Sequence, residues 1–88
     1  MTVFAIMGLS NLDKLEAAIK RVYPEDSLKV SDVHWFVSDR LTSKEVSEKI
    51  GITSGVADAI VVATSGYWGR AEAQVWEWIS ARWGTTSG

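Results

Sequence analysis

The sequence predicts an α+β fold, in which helices pack on one antiparallel β-sheet. Two short, continuous apolar runs, at residues 3–7 and 59–63, are typical of buried strands. Between them, residues 33–37 show the two-residue alternation of a strand. Segments with helical spacing or helix-capping signals follow the first run and the alternating segment. At 88 residues the chain is one domain, which we predict to span residues 1–83.

The first helix is predicted to begin at Ser10, a suitable N-cap, and to end near Tyr23, which precedes Pro24. Asp13 lies in its first turn, where a negative charge stabilises a helix. Apolar residues recur at helical spacing, namely Leu12, Leu15, Ile19 and Val22. A hairpin is expected next, from a short strand at residues 28–30, a tight turn at 31–32 and the alternating strand.

The second helix has well-marked ends. Thr42 and Glu45 have the spacing of a capping box, and Leu41 and Val46 that of a hydrophobic staple. Gly51 is suited to the left-handed cap at the other end. A third helix is predicted at about residues 71–83, and residues 84–88 are expected to form a flexible tail.

The first six predicted elements follow the order strand, helix, strand, strand, helix, strand. This order is that of ferredoxin-like folds, whose antiparallel sheet has the first and third strands at its centre. The additional C-terminal helix lies outside that pattern. We expect the first two helices on one face of the sheet.

Both faces of the predicted sheet are apolar. In the first strand, Phe4 and Ile6 point to one face, and Val3, Ala5 and Met7 to the other. In a sheet with one solvent-exposed face, apolar and polar residues would instead alternate along each strand. Since an exposed apolar patch of this size marks an interface, we expect the third helix, a second subunit or both to cover the second face.

The third helix is the main candidate for an interface. Four of the five tryptophans lie between residues 65 and 83, and tryptophan is favoured where proteins meet. One apolar stripe contains Val75, Trp76, Ile79 and Trp83, and a second side contains Ala71, Trp78, Ala81 and Arg82. We interpret one stripe as packed on the sheet and the other as an interface, which favours a homodimer. The alternative is that Trp78 lies flat on the surface.

The turn at residues 65–70 precedes this helix. Its exposed backbone amides and Arg70 are able to hold a phosphate or a carboxylate. The favoured alternative is that Gly66 and Gly69 supply unusual backbone angles while Tyr67 and Trp68 anchor the turn by packing. The spacing matches neither the phosphate-binding loop nor the dinucleotide fingerprint. The candidate binding or interface residues are Tyr67, Trp68, Arg70, Trp76, Trp78 and Trp83.

Composition excludes several kinds of site. The chain has no cysteine, so disulfides and thiolate sites are excluded, and its one histidine, His34, is interpreted as structural. The formal charge of −2 disfavours a generic attraction to nucleic acid or anionic membrane. The apolar N-terminal run is too short for a signal peptide or a membrane span. We expect a cytoplasmic protein with no catalytic residues, no metal and no cofactor.

The order of the elements and several short segments resemble those of small bacterial proteins labelled SinR-like. The segments are residues 33–37 followed by 41–46, and residues 67–69 with Trp76 and Trp78. These proteins are similar to the ferredoxin-like CRISPR-associated endoribonucleases and the VapD toxins. The resemblance implies a ferredoxin-like homodimer and metal-dependent nuclease ancestry. Those nucleases have an aspartate at the end of the first strand, where this chain has Met7, Gly8 and Leu9.

Two functions are therefore expected from the sequence. The first is a non-enzymatic homodimeric module that binds itself or a protein partner through the third helix and its tryptophans. The alternative is a degenerate relative of the nucleases that still binds RNA or DNA, with Arg70 on a phosphate and Tyr67 and Trp68 stacked on a base.

Overall fold

The protein is described by a computed structural model for residues 1–66 and 68–83. Its elements are β1 (Thr2–Gly8), α1 (Leu12–Val22), β2 (Ser27–Lys29), β3 (His34–Asp39), α2 (Ser43–Ile50), β4 (Ala59–Ala63) and α3 (Ala73–Arg82). This order is the one predicted from the sequence. Tyr67 and the predicted tail at residues 84–88 lie outside the described residues.

The four strands form one antiparallel sheet in the order β2-β3-β1-β4. As predicted, the first and third strands are central. In the middle of the sheet, Ile6 of β1 lies between Trp35 of β3 and Val61 of β4. Residues directly opposite each other in neighbouring strands point to the same face of a sheet, so these three side chains share one face.

Helices α1 and α2 pack on that face and complete the main core. The buried residues of this core are Phe4, Ile6, Leu15, Ala18, Ile19, Tyr23, Trp35, Val37, Val46, Ile50 and Ala57. Gly8 allows α1 to approach β1 closely, since a Cβ at this position would lie 2.6 Å from Leu12 Cδ2 and 3.1 Å from Trp35 Cζ3.

The ends of α2 are as predicted. Thr42 and Glu45 form both halves of the capping box, with Glu45 N–H donating to Thr42 Oγ1 at 3.2 Å and Thr42 N–H to Glu45 Oε1 at 3.1 Å. Gly51 has a φ of 99°, the left-handed conformation that lets the helix end there.

The predicted N-cap of α1 is wrong by one residue. Asn11 occupies that position in the left-handed conformation, with a φ of 49°, and makes no side-chain capping bond. The Ser10 hydroxyl instead accepts a hydrogen bond from Asp58 N–H at 3.2 Å. Ser10 therefore joins the end of β1 to the start of β4, a contact between distant residues that no local capping pattern reveals.

Other boundaries also differ by one or two residues, as three examples show. Strand β2 begins at Ser27. The pairing with β3 starts just before it, where Asp26 C=O accepts a hydrogen bond from Ser38 N–H at 3.0 Å. Strand β3 continues to Asp39, which lies opposite Thr2. Helix α3 begins at Ala73 and not near residue 71. Ala71, before the helix, accepts a hydrogen bond through its C=O from Trp76 Nε1 at 3.1 Å.

Candidate functional site

Helix α3 lies on the face of the sheet opposite α1 and α2. The ring of Trp78 stacks on Phe36 of β3 with the centroids 6.2 Å apart, and Ile79 is buried. Val3 and Ser38, which are opposite each other on this face, are also buried. Helix α3 therefore covers the end of the face where β1 begins and β3 finishes.

Arg82 fixes the end of α3 to the connection between α1 and β2. Its guanidinium carbon lies 4.4 Å from the centroid of the Trp78 ring, within the range of a cation–π contact. Its Nη2 donates to Glu25 C=O at 2.8 Å, and its Nε to Asp26 Oδ1 at 3.3 Å. The basic last turn also suits the negative end of the helix dipole.

The tryptophans of α3 contribute to packing within the molecule. Trp76, Trp78 and Trp83 are half-buried. The Trp78 indole N–H is buried and has no hydrogen-bond partner among the described residues. The exposed positions of α3 are small or polar, and include Gln74 and Glu77.

The other part of the second face stays open, on strand β4. Ile60 is 47% exposed and Val62 is 42% exposed. They lie opposite Met7 and Ala5 of β1 on the same face as Phe36. Helix α3 thus leaves an apolar strip, Ile60 with Val62, at the β4 side of the sheet.

The turn after β4 exposes the largest apolar side chain in the described part of the chain. Trp68 is 97% exposed, and Arg70 is exposed as well. Gly69 has a φ of 156°, a conformation that favours glycine. Across residues 1–66 and 68–83, neither Trp68 nor Arg70 has a hydrogen bond, ion pair or ring contact. Among the described residues of this turn, Trp68 and Arg70 therefore make no such contact with the tryptophans of α3.

A polar cluster that the sequence did not predict lies on the face of the sheet that α1 and α2 cover. The Tyr23 hydroxyl donates to Asp39 Oδ2 at 2.6 Å, and Lys49 Nζ donates to the same oxygen at 3.2 Å. Lys49 Nζ also lies 4.9 Å from the centroid of the Tyr23 ring. These residues border a pocket of about 240 Å³ lined by Met1, Val22, Tyr23, Pro24, Glu25, Asp26, Ser38, Asp39 and Lys49.

The electrostatics of this cluster favour a structural role. Burial raises the pKa of the Tyr23 phenol above its ordinary value, and the hydrogen bond to Asp39 raises it further. Burial also acts to raise the pKa of Asp39, but hydrogen bonds from Tyr23, Arg40 N–H and Lys49 outweigh it and hold that pKa below its ordinary value. Asp39 is thus a charged carboxylate with its oxygens engaged, which joins the C-terminal ends of α1, β3 and α2.

Other titratable side chains make contacts at the surface. His34 is exposed and its Nδ1 lies 2.8 Å from Ser31 Oγ in the β2–β3 turn. Glu16 binds both Lys29 and Lys20, whose hydrogen bonds lower its pKa. Over residues 1–66 and 68–83, no group of three or more His, Asp or Glu side chains is placed to hold a metal ion. No helix in these ranges is long and apolar enough to cross a bilayer.

In comparisons with known proteins, the sequence matches no family model and no curated protein.

Proposed function

We propose that this chain is a non-enzymatic protein-interaction module that acts as a cytoplasmic homodimer with a ferredoxin-like fold. The observation that supports it most is the apolar strip of Ile60 and Val62. Single exposed apolar residues are common on protein surfaces, but two adjacent ones on one face of an edge strand form a continuous contact surface. The strand order β2-β3-β1-β4, with β1 and β3 central, supports the ferredoxin-like assignment.

The end of β1 supports a role without catalysis. The resembling nucleases hold their metal with an aspartate there, whereas this chain has Met7, Gly8 and Leu9. Gly8 faces the core, and any side chain on it would meet Leu12 and Trp35. An acid at this position would therefore be forced among apolar groups, where an unpaired charge is strongly unfavourable.

The first test removes the apolar strip and measures the mass of the particle in solution. Sedimentation equilibrium of the unaltered protein is expected to give a dimer, and the double variant Ile60→Ser/Val62→Ser a monomer, since the apolar side chains of the strip are lost. The matched control is Val30→Ser/Val33→Ser. Val30 and Val33 are 42% and 36% exposed, close to the two test residues, but lie around the β2–β3 turn. Equal dissociation of both variants, or a monomeric parent protein, would contradict the proposal.

The second candidate function, binding of RNA or DNA, is favoured by one observation. Trp68 is 97% exposed, and an exposed indole is a platform on which a base stacks, with Arg70 two residues away for a phosphate. A fluorescence titration with short RNA and DNA, with and without Mg²⁺, distinguishes the two candidates. Quenching that weakens with salt and disappears in Trp68→Ala would favour nucleic acid, because counterion release makes such binding salt-dependent. A flat response would favour the interaction module.

A further inference from the structure

Strand β4 has an open edge whose hydrogen-bonding groups are identified by its pairing with β1. Thr64 N–H donates to Val3 C=O at 3.0 Å, and Leu9 N–H donates to Asp58 C=O at 2.8 Å. In an antiparallel pair, every second residue exchanges bonds with the partner strand. The residues of β4 that bond to β1 are therefore Ile60 and Val62. The backbone groups of Ala59, Val61 and Ala63 point away from β1, and β1 is the only strand next to β4 within the described residues.

The two edges of the sheet differ in their protection. Proteins protect edge strands by keeping them short or by placing charged residues on them, because open edges pair with other chains. Strand β2 has both features, since it is three residues long and contains Lys29, which binds Glu16 at 2.8 Å. Strand β4 is five residues long and contains only alanine, isoleucine and valine. Its edge is thus suited to pairing.

We infer that two copies of this chain pair through β4, antiparallel and in register about Val61, so that their sheets join into one. The inference rests on the proposed homodimer and specifies how it forms. A two-fold axis at Val61 places Val61 opposite itself and Ala59 opposite Ala63 of the second copy. These are the residues with outward-pointing backbone groups, so each such pair exchanges two N–H···O=C bonds.

The side chains agree with the same register. Ile60 lies opposite Val62 of the second copy, which makes an apolar cross-strand pair on the open face of both sheets. The alanines at the two ends of the strand meet each other without crowding. Beyond them, Asp58 lies opposite Thr64, so the pairing brings no like charges together. A second copy is therefore an occupant whose hydrogen bonds, shape and charge all match this edge.

Charges introduced at the cross-strand pairs test the register. In Ile60→Lys/Val62→Glu, each lysine lies opposite a glutamate of the second copy, whereas in Ile60→Lys/Val62→Lys every pair is lysine opposite lysine. Opposite charges stabilise such pairs and like charges destabilise them. Sedimentation is expected to show the Lys/Glu variant dimerising at least about tenfold more tightly than the Lys/Lys variant. Both sites are exposed, so circular dichroism should show the same fold in both proteins.

Cysteines provide a second measurement, because the chain has none of its own. Opposed residues at a non-hydrogen-bonded position have Cα atoms about 4.5 Å apart, within the range of a disulfide. Ile60→Cys mixed with Val62→Cys should form a covalent dimer on oxidation. Neither variant alone should do so, since like residues are offset by two positions, about 7 Å along the strand.

The outcomes separate this inference from the function on which it rests. A parent protein that is monomeric overturns both. A dimeric parent whose Lys/Glu and Lys/Lys variants dissociate equally, with no covalent dimer from the cysteine mixture, overturns the β4 pairing and leaves a homodimer formed by another surface.

Discussion

Asp39 receives three polar contacts that fix the ends of neighbouring elements. Tyr23 Oη and Lys49 Nζ donate to its Oδ2, and Arg40 N–H donates to its Oδ1 at 2.6 Å. The carboxylate is mostly buried, and removing its charge would weaken the hydrogen bonds that it accepts from Lys49 and Tyr23. Hydrogen bonds to a charged group each contribute about 1.5–3 kcal/mol, more than the usual neutral bond.

Asp39 contributes to the acid dependence of stability. Its pKa is lower in the folded protein than in the unfolded chain, so its contribution is present above the unfolded pKa of about 3.9 and is lost as the pH falls through the folded value. Urea denaturation should therefore show the free energy of unfolding falling below about pH 4. Asp39→Asn should be less stable at pH 7 and show a shallower fall.

The control for this prediction is Asp13→Asn, at an exposed carboxylate in the first turn of α1. This variant should retain the steep acid dependence of the parent protein. A slope that Asp39→Asn leaves unchanged would mean that other carboxylates determine the acid sensitivity.

Among the elements, α3 depends most on tertiary contacts for its position. Its N-cap residue, Glu72, makes no side-chain capping bond, and its first turn has no acidic residue. Most helical stability in proteins comes from the packing of one face. Here that packing comes from Trp78 on Phe36, from buried Ile79 and from Arg82 on the α1–β2 connection.

Two tryptophan-to-alanine variants compare an anchor of α3 with an exposed residue. Trp78→Ala should lower the free energy of unfolding by about 3 kcal/mol, because it removes the stack on Phe36 and the partner of Arg82. Trp68→Ala should change it by no more than about 0.5 kcal/mol, since the side chain is 97% exposed. Chemical denaturation followed by circular dichroism measures both. A similar loss in the two variants would place Trp68 in the packed structure.

At the scale of the whole molecule, one face of the sheet is closed by two helices and the other only in part by a third. The uncovered part lies beside the unprotected edge of β4, so the apolar strip and the open backbone form one continuous border. In the proposed dimer, burying this border in a second copy would link folding to association, because a partner that binds only the folded chain stabilises it.

This linkage predicts a melting temperature that depends on protein concentration. The parent protein should melt at a higher temperature as its concentration rises from low to high micromolar, by mass action. The Ile60→Ser/Val62→Ser variant, which is expected to be a monomer, should melt at one temperature throughout. Scanning calorimetry of both proteins makes the comparison, and a parent protein without any concentration dependence would argue against a folded dimer in this range.

The sequence predicted those features that depend on neighbouring residues. The capping box at Thr42 and Glu45, the left-handed Gly51 and the apolar strand at residues 59–63 are set by local chemistry, and the structure confirms them. The hydrogen bond from Asp58 N–H to Ser10 Oγ joins residues 48 positions apart. It engages the hydroxyl that was predicted to cap α1. Local spacing has no information on such a contact.

The candidate site was less predictable for the same reason. Tyr23, Asp39 and Lys49 come from three elements, so their convergence depends on packing. The wide apolar arc of α3 indicated that its tryptophans pack against other surfaces, but only the packing of α3 on the sheet shows that Trp78 meets Phe36. The open strip on β4 is visible only once the area covered by α3 is known.

The central place of β1 has a consequence for how the nascent chain folds. Both neighbours of β1 in the sheet, β3 and β4, are synthesised after it, and β4 begins only at Ala59. During translation, the apolar side chains of β1 therefore stay unpaired until β3 and β4 have been synthesised. Pairings between residues so far apart form slowly, and unpaired apolar strands aggregate in the meantime. A chaperone that shields β1 as it emerges would thus act before any of the sheet exists.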